Sequence, residues 1–313
     1  MFTLAIVLPC YNEEPLLEST VNRLLLLISE MRVEKMISGD SFILFVNDGS
    51  TDHTWECIER LHAENPMVKG LNLTHNVGHQ IAIMAGMMTA VEHADGVVTI
   101  DADLQDDVTC IPEMVQYYRE GYDVVYGVKD DRKKDPWLKR MTASAFYKLQ
   151  KKMGVETVVN HADFRFLSKR VVMELARYQE RNLYLRGIIP LMGYPSVTVS
   201  DSISERGVGK SKYTLCKMMS LALNGITSFS VTPMYAIMGV GVACVLIALC
   251  IGIYVLASLL TGNVVHGWSS LMLSIWFIGG VTLLSVGMVG LYVGRVYIES
   301  KQRPLYHVRD LLF

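Results

Sequence analysis

The first half of the chain alternates short apolar runs with stretches whose apolar residues recur at helical spacing. Residues 4–8, 42–46, 68–73, 97–100 and 123–126 read as strands, and 14–31, 54–64, 81–93 and 111–120 as the helices between them. The strand runs are nearly continuous in apolar residues rather than alternating, as in strands covered on both faces. The pattern predicts an α/β domain built on a parallel sheet, with its ligand site beyond the carboxyl ends of the strands. Residues 160–200 mix strand-like and helical pieces.

A different pattern takes over towards the end. Between Lys217 and Arg295 there is no Asp, Glu, Lys or Arg. Residues 235–260 and 271–294 are each long enough to cross a bilayer, since about 20 helical residues span its core. A buried helical hairpin is the alternative. Residues 215–234 form an amphipathic segment suited to a membrane surface. The expected organisation is a domain over 1–214, the surface segment 215–234, two spans within 235–294 and a tail over 295–313. Arg206, Lys210, Lys212 and Lys217 precede the spans, Arg295, Lys301, Arg303 and Arg309 follow them, and the linker 261–270 has no Lys or Arg. The positive-inside rule places both flanks, and both termini, in the cytoplasm.

Composition agrees. Of 313 residues, 51% are apolar, high for a wholly soluble protein. The formal net charge of −2 offers no global electrostatic case for nucleic acid. Cys10, Cys57, Cys110, Cys216, Cys244 and Cys250 form no CxxC and no zinc-type spacing, and read as reduced thiols. The first residues enter a strand directly, without the pattern of a signal peptide.

Three polar clusters follow strand candidates, so in a parallel sheet they converge on one edge. Pro9-Cys10-Tyr11-Asn12-Glu13-Glu14 suits a nucleotide-binding loop, or a helix start with Asn12 as cap. Asn47-Asp48-Gly49-Ser50-Thr51-Asp52 offers Asp48 to a base or ribose, or is a turn with a helix cap. Asp101-Ala102-Asp103, followed by Leu104-Gln105-Asp106, sets two carboxylates where a divalent cation could meet a diphosphate. His75-Asn76-Val77-Gly78-His79-Gln80 reads as a helix-opening loop near the same site rather than a metal site.

The order and spacing of PxYNEE, NDGSTD and DADLQD resemble the family 2 glycosyltransferases of GT-A fold. More narrowly, the chain resembles the bacterial polyprenyl-phosphate glycosyltransferases, the group of bactoprenol glucosyltransferases and dolichol-phosphate mannose synthases. Asp163-Phe164-Arg165, the stretch from Glu205 to Tyr213, the run from Gly225 to Ser230 and the tail from Gly294 to Pro304 add to the resemblance. It implies a GT-A (Rossmann-like) nucleotide-sugar domain followed by a surface amphipathic segment and two transmembrane helices, in a bacterial inner membrane.

The resemblance also implies roles. Asp103, with Asp101 and Gln105 beside it, would hold Mg²⁺ or Mn²⁺. Pro9, Tyr11, Asn12, Glu13, Asp48 and Asp101 would enclose the nucleotide, with Arg206 and Lys212 on a lid over the diphosphate. Arg132, Arg140 and Ser144 would gather the acceptor phosphate. Asp163 matches the family's proposed base. An acceptor phosphate with a second pKa of about 6 is already ionised, however. Asp163 is therefore also readable as a group that orients the sugar or acceptor or stabilises positive charge on the anomeric carbon, with an N-cap or an ion pair with Arg165 as the alternative. The implied reaction is inverting transfer of glucose or N-acetylglucosamine from a UDP-sugar to polyprenyl (undecaprenyl) phosphate. Implied partners are a homo-oligomer and a downstream flippase and transferase. The rivals are a processive polysaccharide synthase, which would carry a QxxRW-like motif and more spans, and a non-catalytic membrane scaffold.

Overall fold

The computed structural model describes residues 2–129, 161–178, 180, 183–201 and 267–313, with 237, 239–243, 246–247, 250 and 253 as helical positions between. The chain divides into two compact units, Met1–Met218 with Arg303–Phe313, and Met219–Gln302.

The first unit is an eight-stranded sheet with helices on both faces. Its strands are β1 (Leu4–Cys10), β2 (Phe42–Asn47), β3 (Val68–Leu73), β4 (Gly96–Thr99), β5 (Val124–Lys129), β6 (His161–Ser168), β7 (Ser196–Asp201) and β8 (Val308–Leu312). Its helices are α1 (Glu14–Val33), α2 (Thr54–Glu64), α3 (His79–Ala90), α4 (Ile111–Arg119), α5 (Lys169–Leu175) and α6 (Leu185–Leu191). The sheet order is β7-β5-β6-β4-β1-β2-β3-β8.

Every residue of β1, β2 and β4 is buried. Alternation divides β1 between two cores. Leu4, Ile6, Leu8 and Cys10 pack with Leu17, Leu24, Ile58 and Met114 from α1, α2 and α4. Val7 points the other way, towards α3. There a side chain on Gly86 would sit 2.4 Å from Val7 Cγ1 and 2.6 Å from Val46 Cγ2. The missing side chain lets α3 lie close on β1 and β2, and so sets the depth of the helix start.

The sheet is mixed, not parallel throughout. β3, β2, β1 and β4 run parallel, whereas β6 is antiparallel to both β4 and β5, and β8 is antiparallel to β3. The strand run of β6 carried no sign of its direction, and its reversal has a chemical result. The beginning of β6, not its end, lies at the edge where β1, β2 and β4 finish.

The last residues also belong to this sheet. β8 covers the open edge of β3, and Phe313 packs edge-on against Phe42 with ring centroids 5.3 Å apart. Leu312 lies against the core under α2.

In the second unit, α7 (Trp268–Ser300) contains Phe277–Ser300, the one described helix long and apolar enough to cross a membrane. Its 24 residues rise about 36 Å, against a hydrocarbon core of about 30 Å. Most of the expected first span, 235–260, and the surface segment 215–234 lie outside the described residues.

Candidate active site

Two loops at the ends of β1 and β2 are bound into one structure. Asn12 has a positive φ of 56°, a conformation asparagine tolerates. Its backbone N–H donates to Ser50 Oγ at 3.0 Å, and its Oδ1 accepts from Thr51 N at 2.8 Å. Asn12 thus joins the loops instead of capping α1, whose cap position is Glu13. The Glu13 N–H in turn donates to Thr54 Oγ1 at 3.1 Å. Pro9 is buried within β1, and the Tyr11 ring stands out at 45% exposure.

Asp48 is buried and accepts from the backbone N–H groups of Val77 at 2.7 Å and Gly78 at 3.1 Å. Burial raises its carboxyl above the usual range, opposed by those two donors. It therefore fixes the loop that opens α3. Between them Gly49 takes φ 62°, and a side chain there would lie 2.5 Å from Asn76 N and His75 C. Gly49→Ala should cost at least about 1–3 kcal/mol in backbone strain, with the clash added. A fall in melting temperature would bear this out, and an unchanged melt would refute it.

The third loop follows β4. Leu104, a bulky buried residue, holds φ 44°, closing a turn with its N–H on Asp101 O at 3.1 Å. The turn leaves Asp103 exposed beside Gln105, whose side-chain amide donates to Asp103 Oδ2. In that orientation Gln105 braces the carboxylate. From behind, buried Asp201 at the end of β7 accepts from Asp107 N at 2.7 Å. Asp107 caps the turn that follows, accepting from Thr109 N at 3.0 Å.

Asp163 meets this loop because of the β6 register. Thr99 pairs with Arg165, the last pair of the ladder, so Asp163 lies just past the end of β4, on the side where the chain runs on to Asp101. Thr99 Oγ1 donates to Asp163 O at 2.6 Å and clamps the crossing. The Asp163 side chain is only 6% exposed and is surrounded by donors. Arg165, itself buried, pairs with its Oδ1. Arg186 from α6 donates to its Oδ2 at 3.0 Å, Gln80 at 3.2 Å, and His79 Nε2 lies 3.2 Å away. His79 also reaches Asp101 Oδ1 at 3.6 Å, and so stands between the two carboxylates.

The two acids are tuned in opposite directions. Burial and the nearby Asp163, Asp106 and Asp103 carboxylates push Asp101 up to about 6, although His79 opposes them. Burial would also raise Asp163, but the His79 hydrogen bond and the Arg165 and Arg186 charges outweigh it and hold its carboxyl well below the usual range. A general base works best with a pKa near the operating pH. Asp163 is ionised and fully engaged, which suits an anchor better than a proton acceptor.

The donor set fits a hard divalent cation. Among the described residues no group of three or more His, Cys, Asp or Glu side chains forms a protein-only metal site. Asp101 and Asp103 nonetheless crowd negative charge at one exposed edge. Such a site suits Mg²⁺ or Mn²⁺ held by one or two carboxylates and completed by phosphate oxygens and water.

Arg132, Arg140, Ser144, Arg206 and Lys212 lie outside the described residues. The sequence reading missed Arg186. Its signal was a lone cation inside the apolar stretch Leu183-Tyr184-Leu185-Arg186-Gly187-Ile188-Ile189. His79 and Gln80, expected only near the site, turn out to touch its central carboxylate.

Parallel strands that end in two joined loops and an acidic turn, crossed by one antiparallel strand bearing a braced aspartate, make up the GT-A α/β arrangement of a glycosyltransferase. The chain belongs to glycosyl transferase family 2, whose model matches residues 5–176. A Bacillus subtilis (strain 168) relative called uncharacterized glycosyltransferase YkoT is 45% identical over 305 residues, covering 97% of this chain and 90% of that protein. The bactoprenol glucosyl transferase of Shigella phage SfV is 38% identical over 314 residues, covering 98% of each. Among solved structures, the mannosyltransferase PcManGT from Pyrobaculum calidifontis, in complex with GDP-Man and Mn²⁺, aligns over 91% of this chain and 87% of that one. Its TM-score is 0.42 and its sequence identity 15%.

Proposed function

We propose that the protein transfers a hexose from a UDP-sugar to polyprenyl phosphate, with inversion at the anomeric carbon. The observation that carries this is the joining, in one chain, of the acidic strand-end site and the apolar helix Phe277–Ser300. A water-soluble donor and a bilayer-held acceptor need such a pairing. Near full-length similarity to bactoprenol glucosyl transferase supports the lipid acceptor and favours glucose.

In this reading the two joined loops hold the nucleoside, with Tyr11 and Glu13 facing it. Asp103, helped by Asp101, would hold Mg²⁺ or Mn²⁺, which when bound neutralises charge growing on the departing diphosphate. An oxygen of the lipid phosphate attacks the anomeric carbon as the bond from that carbon to the diphosphate oxygen breaks. The phosphate is mostly a dianion at neutral pH and needs no base. Asp163 orients His79, Gln80 and Arg186 around the reacting sugar. The acceptor-phosphate role of Arg132, Arg140 and Ser144, and the lid role of Arg206 and Lys212, belong to the same proposal.

The proposed membrane topology has two spans. β8 lies in the same sheet as β1, so the chain between them must cross a bilayer an even number of times. If Phe277–Ser300 crosses, a second crossing over 235–260 balances it. The catalytic unit and both ends then share the cytoplasmic side of a bacterial inner membrane.

The test is incubation of the purified full chain with undecaprenyl phosphate, Mg²⁺ or Mn²⁺, and each of UDP-glucose, UDP-N-acetylglucosamine and GDP-mannose. Mass analysis of the lipid should find one hexose on the phosphate with a UDP-sugar. A polymer, or no lipid product with any donor, would overturn the proposal.

A further inference from the structure

We infer that the C-terminal strand is a positioning element of the donor site, acting through Asp310. This rests on the reading that the loops after β1 and β2 hold the nucleotide. Four hydrogen bonds connect the end of the chain to those loops. Asn72 Nδ2 donates to Asp310 Oδ2 at 2.8 Å, and Asn47 Nδ2 donates to Asn72 Oδ1 at 2.8 Å. Ser50 N then donates to Asn47 Oδ1 at 3.2 Å, and Asn12 N to Ser50 Oγ at 3.0 Å. Asn47 and Asn72 are both buried, in β2 and β3, so their amides must pair with each other and with what flanks them.

The direction of this relay is set at its far end. An ionised carboxylate only accepts hydrogen bonds, whereas an asparagine amide both donates and accepts. Asp310 therefore obliges Asn72 to present its NH₂ outward. That turns the Asn72 oxygen towards Asn47, which must answer with its own NH₂. The Asn47 oxygen is then left facing the loop, where it takes the Ser50 N–H. Without Asp310 either amide can turn over, and a turned Asn47 presents a donor to another donor. The loop from Asn47 to Thr51, and Asn12 tied to it, would lose its fixed shape.

The pairing of β8 supplies the geometry. Asn72 stands opposite Asp310 in the antiparallel register. Thr74 N donates to His307 O at 3.0 Å just before it, and Lys69 Nζ lies 5.2 Å from the centre of the Phe313 ring just after it. The strand is thus held on both sides of the residue that orients the relay.

Hydrogen exchange and nucleotide binding on the full chain test this together. In Asp310→Ala, backbone amides of residues 11–13 and 48–54 should exchange about 3–10-fold faster without any ligand, and the Kd for UDP should rise by a similar factor. Exchange in β1 and β4 should not change. Arg309→Ala, which removes the other charge near Asp310, should leave both readouts at wild type. Asn72→Asp alone should weaken UDP binding, because two acceptors then face each other. Combined with Asp310→Asn it should recover, because the donor and acceptor are exchanged and Asn47 keeps its partner. Wild-type exchange in Asp310→Ala, or no recovery in the double variant, would overturn the inference. If the wild type binds no UDP, the function proposed above falls, and the ligand-free exchange still decides the relay.

Discussion

Asp163→Ala is expected to stop sugar transfer and to destabilise the protein at the same time. The carboxylate is the shared partner of Arg165, Arg186, Gln80 and His79. Arg165 is fully buried, and burial already pulls its guanidinium pKa down, with Asp163 the chief opposing influence. Leaving one member of a buried pair without its partner costs about 3–5 kcal/mol. That is a large share of the roughly 5–15 kcal/mol that holds a typical domain folded. Asp163→Asn keeps the shape but not the charge, so it should also lose activity while destabilising less. Thermal melts of the detergent-solubilised chain, run beside the lipid-transfer assay, separate the two effects. A wild-type melt for the alanine variant would contradict the buried network, and retained transfer would remove Asp163 from the reaction.

The Asp163 contribution to the pH dependence of this network has a definite sign. A depressed carboxyl contributes stability that is fully present above its ordinary unfolded value. That stability is lost as pH falls through the folded value. The Asp163 loss should therefore lie below the usual carboxylate range, whereas His79, raised against burial by Asp163 and Asp101, contributes stability that is lost as pH rises through its folded value.

Asp103→Ala should behave in the opposite way, with transfer lost and the fold kept. The Asp103 side chain is exposed and braced by Gln105 alone among the contacts described for it. Its removal leaves no buried charge behind. A cation acting as Lewis acid contributes several kcal/mol to the transition state, and each 1.36 kcal/mol is tenfold in rate. Transfer should thus fall by about a thousandfold or more, at an unchanged melting temperature. The measurement is turnover against Mn²⁺ and Mg²⁺ concentration. An alanine variant with the wild-type rate and the wild-type metal dependence would show that the acidic turn does not hold the metal.

The contrast between these aspartates explains what the sequence could reveal. Strands β1 to β4 and their helices were readable because buried parallel strands are continuous apolar runs, and because α1, α2 and α4 show a helical repeat. The loops after β1, β2 and β4 were readable because a strand end is visible as the point where apolar residues stop. The direction of β6 was not readable, since an apolar run has no polarity. Its reversal brings Asp163 past the end of β4, where His79 spans it and Asp101. Arg186 was hidden for a related reason. A single arginine in an apolar stretch looks the same whether it faces solvent or reaches a carboxylate 23 residues earlier in the chain. β8 was hidden because only five residues form it and four of them are exposed, so little hydrophobic pattern marks it.

That short strand also bears on how the protein is made. The catalytic sheet is composed of chain made before the apolar segment and a strand made after it. Until β8 is made and docks, β3 is a bare edge with unpaired backbone groups, a natural template for unwanted strand pairing. A nascent chain already held at a membrane would carry a nearly complete sheet that still lacks the strand on its β3 edge. Completion of the enzyme is thereby delayed until the apolar segment has been synthesised.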